Sequence, residues 1–224
     1  ADSRTTGHPG WLCTYYIYDE MNHLRMVIPP KAVDYLDTNG WVLNSTVINN
    51  LCFSYWYDNR GRLLTKHIPG KGKTYLAYDL LDRLVMSQDE NLRLANQWAF
   101  IKYDGQGRPV KTGLITKNQS KDVIQANAAA SSDYPTLSGT YTILTETYYD
   151  DYNWTSGTGL TGSLNNTYIT SSNFILSYNT SPDYARPMTK STRIRGNITG
   201  SKKMVLGTPT YLYTAIIYNE DGKA

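Results

Sequence analysis

Short segments rich in aromatic, aliphatic and β-branched residues alternate with polar turns along most of the chain, and this pattern predicts β-hairpins. The segments at 13–18 and 51–57 are of this kind. Each is followed by a polar stretch and then by a second strand-like segment, at 24–28 and 63–68. Short strands joined by polar turns are typical of antiparallel sheets. We therefore expect an all-β array of antiparallel β-hairpins that forms a spiralling sheet or part of a hollow shell.

The predicted turns share a phrase that opens on a Tyr-Asp pair and ends, four residues after the Asp, on a basic or polar residue. An internal repeat of this kind points to an architecture before it points to chemistry. Full copies carry Tyr18-Asp19, Tyr57-Asp58, Tyr78-Asp79 and Tyr103-Asp104, and degenerate copies carry Tyr149-Asp150 and Tyr218-Asn219.

Turn chemistry explains the residue types of the phrase. An Asp at the turn entry can accept hydrogen bonds from backbone amides further along, and a Gly near the turn end accepts a positive φ. Gly61, Gly107 and Gly222 hold that later position. The basic residues that follow are expected to lie over an aromatic ring or to pair with an Asp of a neighbouring hairpin; they are Arg62, Arg83 and Arg108. All these motif residues therefore have predicted structural roles.

Other segments complete the predicted array. Good helix formers behind a Ser predict one short helix near 120–130. Residues 152–165 are predicted to form a long loop. Further strands are predicted at 41–43, 44–48, 168–170, 174–178, 188–195, 202–206 and 210–218.

Composition narrows the function classes. The chain has 20 tyrosines and only 3 phenylalanines, and it lacks any apolar run near the ~18 residues of a membrane helix. Its net charge is +3, with Lys and Arg spread along the turns. A membrane span and a nucleic-acid partner are therefore not expected.

The two cysteines, Cys13 and Cys52, each lie five residues before the Tyr of a Tyr-Asp pair. Equivalent positions of successive repeats can become neighbours, so a disulfide between them is one hypothesis. The other is that both are buried thiols that pack as small hydrophobic groups. A metal site is not expected, because His8, His23 and His67 show no ligand spacing.

Catalytic motifs are not apparent in the sequence. The paired carboxylates at 89–90, 150–151 and 220–221 are adjacent in sequence and lie at predicted turns. The stretch at 70–74 lacks the first Gly of a phosphate-binding loop. We expect no enzymatic activity and no cofactor. The five tryptophans are interpreted as packing residues or, alternatively, as platforms for surface glycans; they are Trp11, Trp41, Trp56, Trp98 and Trp154.

The phrases at 57–63 and 103–108 resemble the YD repeat of RHS-repeat proteins, and the resemblance extends over nearly the whole chain. The string at 15–33 and the segment 200–207 resemble units of large secreted RHS proteins of Bacteroidota. The resemblance implies a β-sheet that spirals into a hollow shell. In toxin complexes that shell encloses a C-terminal toxin, and in related animal proteins it forms a cell-surface adhesion scaffold. The family's self-cleaving region, with its essential Asp residues, has no counterpart here.

These observations predict one YD-repeat array over 1–224, with units near 12–30, 51–69, 74–88, 98–116, 141–154 and 210–224 and an insertion at 117–135. The last unit ends within its predicted hairpin, so we expect a fragment of a longer chain or an assembly completed by another copy. The predicted function is a non-catalytic structural segment of a secreted or cell-surface shell or fibre. Its partners would be further copies of itself or the rest of an RHS chain. The alternatives are a carbohydrate- or cell-binding adhesin and the wall of a capsule around a C-terminal toxin.

Overall fold

The computed structural model describes residues 11–167, 169–170 and 187–224. Its eleven strands are ordered in the sheet as they are along the chain. The strands are β1 Tyr15–Tyr18, β2 Leu24–Ile28, β3 Phe53–Tyr57, β4 Leu63–Ile68, β5 Gly72–Tyr78, β6 Leu84–Gln88, β7 Gln97–Tyr103, β8 Pro109–Thr116, β9 Tyr141–Tyr149, β10 Ile198–Met204 and β11 Tyr211–Ala215. The prediction of an all-β array of antiparallel hairpins is confirmed.

Four short α-helices interrupt the strands: α1 Pro30–Thr38, α2 Ser45–Leu51, α3 Glu90–Leu94 and α4 Lys121–Ala129. The chain divides into two compact units. The first comprises residues 1–102 and 114–142, and the second comprises 103–113 and 143–224. All four α-helices therefore belong to the first unit, whereas β10 and β11 belong to the second.

The hairpins of the first unit that carry the Tyr-Asp phrase share one irregularity. The register shifts at Tyr18 between β1 and β2, at Tyr57 between β3 and β4, and at Tyr78 between β5 and β6. A bulge leaves one extra residue on the bulged strand and increases the local twist. The motif tyrosine is thus the last strand residue before each turn and the point where the ladder loses its regular register.

One core cluster of the first unit includes two helices that the strand pattern did not predict. Ala32, Val33 and Leu36 of α1 are buried against Ile28 of β2 and Val47 of α2. Pro30 begins α1, where its missing N–H costs no hydrogen bond. The helices cover an apolar sheet face that a single-layer array would leave in water.

The strands predicted at 41–43 and 44–48 are wrong. The segment 44–51 is instead helical because Asn44 is an N-cap whose side chain accepts a hydrogen bond from the Val47 N–H at 3.0 Å. The predicted strand at 188–195 is also wrong, since it contributes only an isolated bridge between Lys190 and Asn219. Residues 169–170 are not in a strand, and 168 and 174–178 lie outside the described residues.

The predicted helix near 120–130 is confirmed as α4, which begins after the N-cap Ser120. The hypothesis of a disulfide is corrected, because Cys13 and Cys52 are both free thiols. Cys52 is fully buried in the helix-covered core, and Cys13 packs against the same cluster. Both therefore act as small hydrophobic groups.

Candidate functional site: the repeated aspartate turns

Within the described residues, five turns have the same hydrogen-bonded frame. In each, the N–H of the first residue donates to the carbonyl of the fifth, as from Asp58 to Arg62 at 3.0 Å. The N–H of the fourth residue donates back to the carbonyl of the first, as from Gly61 to Asp58 at 3.0 Å. The frame begins at Asp19, Asp58, Asp79, Asp104 and Asn219.

One side-chain oxygen of the first residue completes the frame. Oδ1 of Asp58 accepts hydrogen bonds from the backbone N–H groups of Arg60 and Arg62, both at 2.9 Å. The same two bonds recur at 2.8–3.1 Å in the turns that begin at Asp19, Asp79, Asp104 and Asn219. The motif Asp is therefore a turn residue that satisfies two amides otherwise left without a partner in the loop.

The fourth residue of every such turn has a positive φ. Gly61 is at 75° and Gly107 at 79°, while Asn22 and Asp82 are both at 62°. This left-handed conformation suits Gly best and Asn or Asp next. The Asn22 that departs from the repeat phrase thus preserves the turn.

The second carboxylate oxygen binds the arginine at the turn end. Nε of Arg62 donates to Oδ2 of Asp58 at 2.8 Å, and Arg83 and Arg108 make the same bond to Asp79 and Asp104 at 2.8 and 2.7 Å. Asp79 is fully buried. Both oxygens of each of these three carboxylates are therefore hydrogen-bonded within its own turn.

The arginines also reach beyond their own turns. In the first unit, Arg62 pairs with Asp82 at 2.6 Å, and its guanidinium lies 5.2 Å from the ring centre of Tyr78. Arg83 donates to the carbonyl of Ser132 at 2.7 Å. Arg62 therefore links its own hairpin to the motif tyrosine and the turn of the next hairpin.

The second unit contains the corresponding contact. Arg108 pairs with Asp150 through both terminal nitrogens, at 3.1 and 2.5 Å, and lies 4.2 Å from the ring centre of Tyr149. The two aspartates raise the pKa of Arg108, so its charge is permanent. Arg108, like Arg62, thus contacts two carboxylates and one tyrosine ring.

The first turn has a different closing residue. His23 occupies the arginine position, where its ring stacks on Tyr57 at 4.8 Å between centroids and 18° between planes. Its Nδ1 lies 3.4 Å from Asp19, and Arg25 lies 3.7 Å from the same carboxylate. The contact to the next motif tyrosine is thus kept with a different side chain.

The copy at Tyr149-Asp150 does not close a hairpin. β9 pairs with β10, which follows it only after the long segment between 150 and 197. Asp150 has a φ of 71° and accepts a hydrogen bond from the N–H of Gly196 at 2.6 Å. Its carboxylate serves as the partner of Arg108, a role that the repeat phrase does not reveal. Tyr218, before the last turn, donates its hydroxyl to the Ile198 carbonyl at 2.9 Å.

Hydrogen bonding sets the acidity of these carboxyls. The backbone N–H of His23 lowers the pKa of Asp19. Desolvation acts to raise the pKa of Asp58 and of Asp104, but the backbone and guanidinium hydrogen bonds of Arg62 and Arg108 outweigh it, so both pKa values are lowered. The Arg108 side chain and the Gly196 N–H lower the pKa of Asp150 to about 2. The carboxylates of Asp19, Asp58, Asp104 and Asp150 are therefore charged throughout the neutral range.

A second candidate site, a cleft, lies wholly within the second unit. A cleft of about 280 Å³ is lined in part by Trp154, Tyr148, Glu146, Lys111, Arg108 and Asp151. We name it the Trp154 cleft. The sequence pattern indicated Trp154 as a possible glycan platform and Arg108 as a turn residue, but it did not indicate that they share a cleft, because residues so far apart in sequence carry no shared motif.

The remaining tryptophans differ widely in exposure. Trp98 is buried, at 1% exposed, whereas Trp11 is 74% exposed. Trp41 and Trp56 are partly exposed. Among the described residues, no group of three or more His, Cys, Asp or Glu side chains is placed to hold a metal ion. None of the described helices is both long and apolar enough to cross a membrane.

Comparison with known proteins shows weak structural similarity alone. No family profile matches the chain, and no curated protein matches it. Among solved structures, the chain is similar to the Photorhabdus luminescens Tc holotoxin pore, with 17% identity over 95% of this chain and a TM-score of 0.36. It is similar to a TcdB2-TccC3-Cdc42 complex, with 17% identity over 94% of this chain and a TM-score of 0.36. It spans 11% of the length of each of these chains.

Proposed function

We propose that this chain is a non-catalytic structural segment of a secreted β-shell or fibre of the YD-repeat kind, displayed at the cell surface. The observation that supports this proposal most directly is the double role of the turn arginines. Arg62 and Arg108 each bind the aspartate of their own turn and a carboxylate outside it. A repeat array needs repeated links between neighbouring hairpins, since each repeat is stabilised by its neighbours.

The proposed partners are further copies of this chain or the rest of a longer RHS chain. β11 is the last strand in the sheet order, and Leu212 within it is 66% exposed. A strand at a sheet edge presents backbone groups that another strand can pair with. Addition of further strands to β11 would extend the array without a new kind of contact.

The native particle provides the test. We expect negative-stain electron microscopy and mass photometry of the particle from its source to reveal a hollow or fibrous object far heavier than the 25.3 kDa of this chain. A discrete particle of that mass would refute the shell and fibre. The proposal of a non-catalytic role would be overturned by an activity that is lost on substitution of described side chains while the fold persists.

A second candidate function is carbohydrate binding by a surface adhesin. The specific observation in its favour is the Trp154 cleft, which combines two stacked aromatic rings with fixed charged groups. A glycan-array experiment with the folded chain tests it. Array signals no greater than those of a denatured sample would reject carbohydrate binding, and the scaffold function would be the one that remains.

A further inference from the structure

The Trp154 cleft contains a rigid aromatic platform. The rings of Trp154 and Tyr148 stack with centroids 4.5 Å apart and planes 3° apart. Nε1 of Trp154 donates a hydrogen bond to Oγ1 of Thr199 at 3.1 Å. Below the indole lies Gly200, where a Cβ would come within 2.1 Å of Cζ2 of Trp154. The ring is thus held by stacking, by a hydrogen bond and by a glycine that makes room for it.

Next to the platform lies a preformed polar group. Glu146 pairs with Lys111 at 2.8 Å and with Lys202 at 3.4 Å, and its carboxylate accepts a hydrogen bond from the Tyr148 hydroxyl at 3.2 Å. Desolvation acts to raise the pKa of Glu146, but Lys111 and Lys202 outweigh it, so the pKa is lowered and the carboxylate is charged at neutral pH.

This polar group retains free bonding capacity. A carboxylate has about four lone-pair sites and an ammonium has three N–H donors, so Glu146 and the two lysines are not saturated by one another. Glu146 can accept a hydrogen bond from a ligand hydroxyl, and the lysines can donate to one. Preorganised groups of this kind lose little entropy on binding.

The charge balance of the cleft disfavours strongly charged ligands. Its lining includes two cationic side chains and three carboxylates. Arg108 is paired with two carboxylates, Asp104 and Asp150, whereas Glu146 alone pairs with Lys111 and Lys202. With Asp151 of the lining, four carboxylates accompany three cations, and this excess of negative charge disfavours an anionic ligand. A neutral ligand that carries several hydroxyls and one apolar face fits both the aromatic platform and the polar group at Glu146.

We propose that the Trp154 cleft binds one neutral pyranose unit, with the apolar face of the sugar on the aromatic platform and vicinal hydroxyls on Glu146 and Lys111. The volume of about 280 Å³ lies near the lower end of the ~300–1,000 Å³ typical of small-molecule sites, which suits a single sugar ring. The proposal rests on the carbohydrate-binding candidate and is independent of the scaffold function.

The test is an NMR titration of the folded chain that follows the indole N–H signals of its five tryptophans. The probes are the methyl glycosides of glucose, galactose and mannose, with glucuronate and glucosamine as charged comparisons. We expect at least one neutral glycoside to shift the Trp154 signal saturably, with a dissociation constant on the order of 1 mM. Equal or tighter binding of glucuronate would overturn the choice of ligand class.

Variants locate the site. Glu146→Gln is expected to weaken binding about tenfold, because it removes a charged acceptor. Trp56→Ala is the matched control, since Trp56 lies in the first unit and is 37% exposed. Binding that Trp56→Ala abolishes and Glu146→Gln leaves intact would retain carbohydrate binding but reject this cleft. No binding of any probe would reject both.

Discussion

At the scale of the residue, the motif aspartate divides its two carboxylate oxygens between two tasks. One oxygen accepts two turn amides, and the other binds the arginine four residues on. Asn219 shows which task is indispensable for the turn, because its amide oxygen makes the same two amide contacts without a charge. The backbone frame thus needs an acceptor, and the carboxylate adds the bond to the arginine.

The fully buried Asp79 provides the sharpest test of this division. We expect Asp79→Ala to lower the free energy of unfolding by about 3 kcal/mol, because two turn N–H groups and the Arg83 guanidinium lose their acceptor. Asp79→Asn should cost less, because its oxygen can still accept from the amides. Urea denaturation measures both. Asp122→Ala is the control, since the Asp122 side chain is 80% exposed, and equal losses in all three variants would contradict the assignment.

At the scale of the element, a five-residue frame determines each turn, and only one of its positions demands a left-handed backbone. Gly107 is at that position with a φ of 79°. Gly105 lies two residues earlier in the same turn, where its φ is not positive and an added Cβ would meet nothing within 4 Å. The two glycines of this turn are therefore present for different reasons.

This difference predicts opposite tolerances. Gly107→Ala should destabilise the protein by about 1–2 kcal/mol, because a Cβ is strained in the left-handed region. Gly105→Ala should change stability by about 0.5 kcal/mol or less. Thermal unfolding followed by circular dichroism measures both. Similar losses of stability from the two substitutions would contradict the assignment of the left-handed position to Gly107 and not to Gly105.

The helix α2 depends on a side-chain cap. Asn44→Ala is expected to cost about 1 kcal/mol, because the Val47 N–H loses its acceptor. Asn49→Ala, in the exposed part of the same helix, serves as the control and should be neutral or slightly stabilising, since Ala is the better helix former. A neutral Asn44→Ala variant would mean that packing against the α1 core alone maintains α2.

At the scale of the whole molecule, the turn carboxylates make stability depend on pH. The pKa values of Asp19, Asp58 and Asp104 are lowered, and that of Asp150 is lowered to about 2. A group with a lowered folded pKa stabilises the protein fully above its unfolded pKa, near 3.9 for Asp. That contribution is lost as the pH falls through the folded pKa.

Acid should therefore destabilise the folded chain. We expect the free energy of unfolding from urea titrations to be nearly constant between pH 7 and pH 5 with respect to these groups, and to fall steadily from about pH 4 downward. Asp150→Asn, which suits the positive φ, should flatten part of that fall. A free energy of unfolding that is unchanged from pH 5 to pH 2.5 would contradict this account.

The sequence by itself determined the repeated turns and most of the hairpins. Their hydrogen bonds join residues no more than four apart, so the residue types at those positions specify the turn directly. The roles of Asp58, Gly61 and Arg62 could be predicted for this reason. The position of α4 could also be predicted, because its cap and helix formers are local signals.

Tertiary structure alone decided the features that join distant parts of the chain. The segment 44–51 has β-branched residues typical of strands, yet burial of Val47 in the α1 core and the Asn44 cap make it helical. Asp150 became the partner of Arg108 because no tight hairpin turn follows β9, whose partner β10 begins only at Ile198. The Trp154 cleft brings Lys111, Glu146 and Lys202 together across three strands. Local sequence carries no trace of such contacts, because strand pairing over long separations creates them.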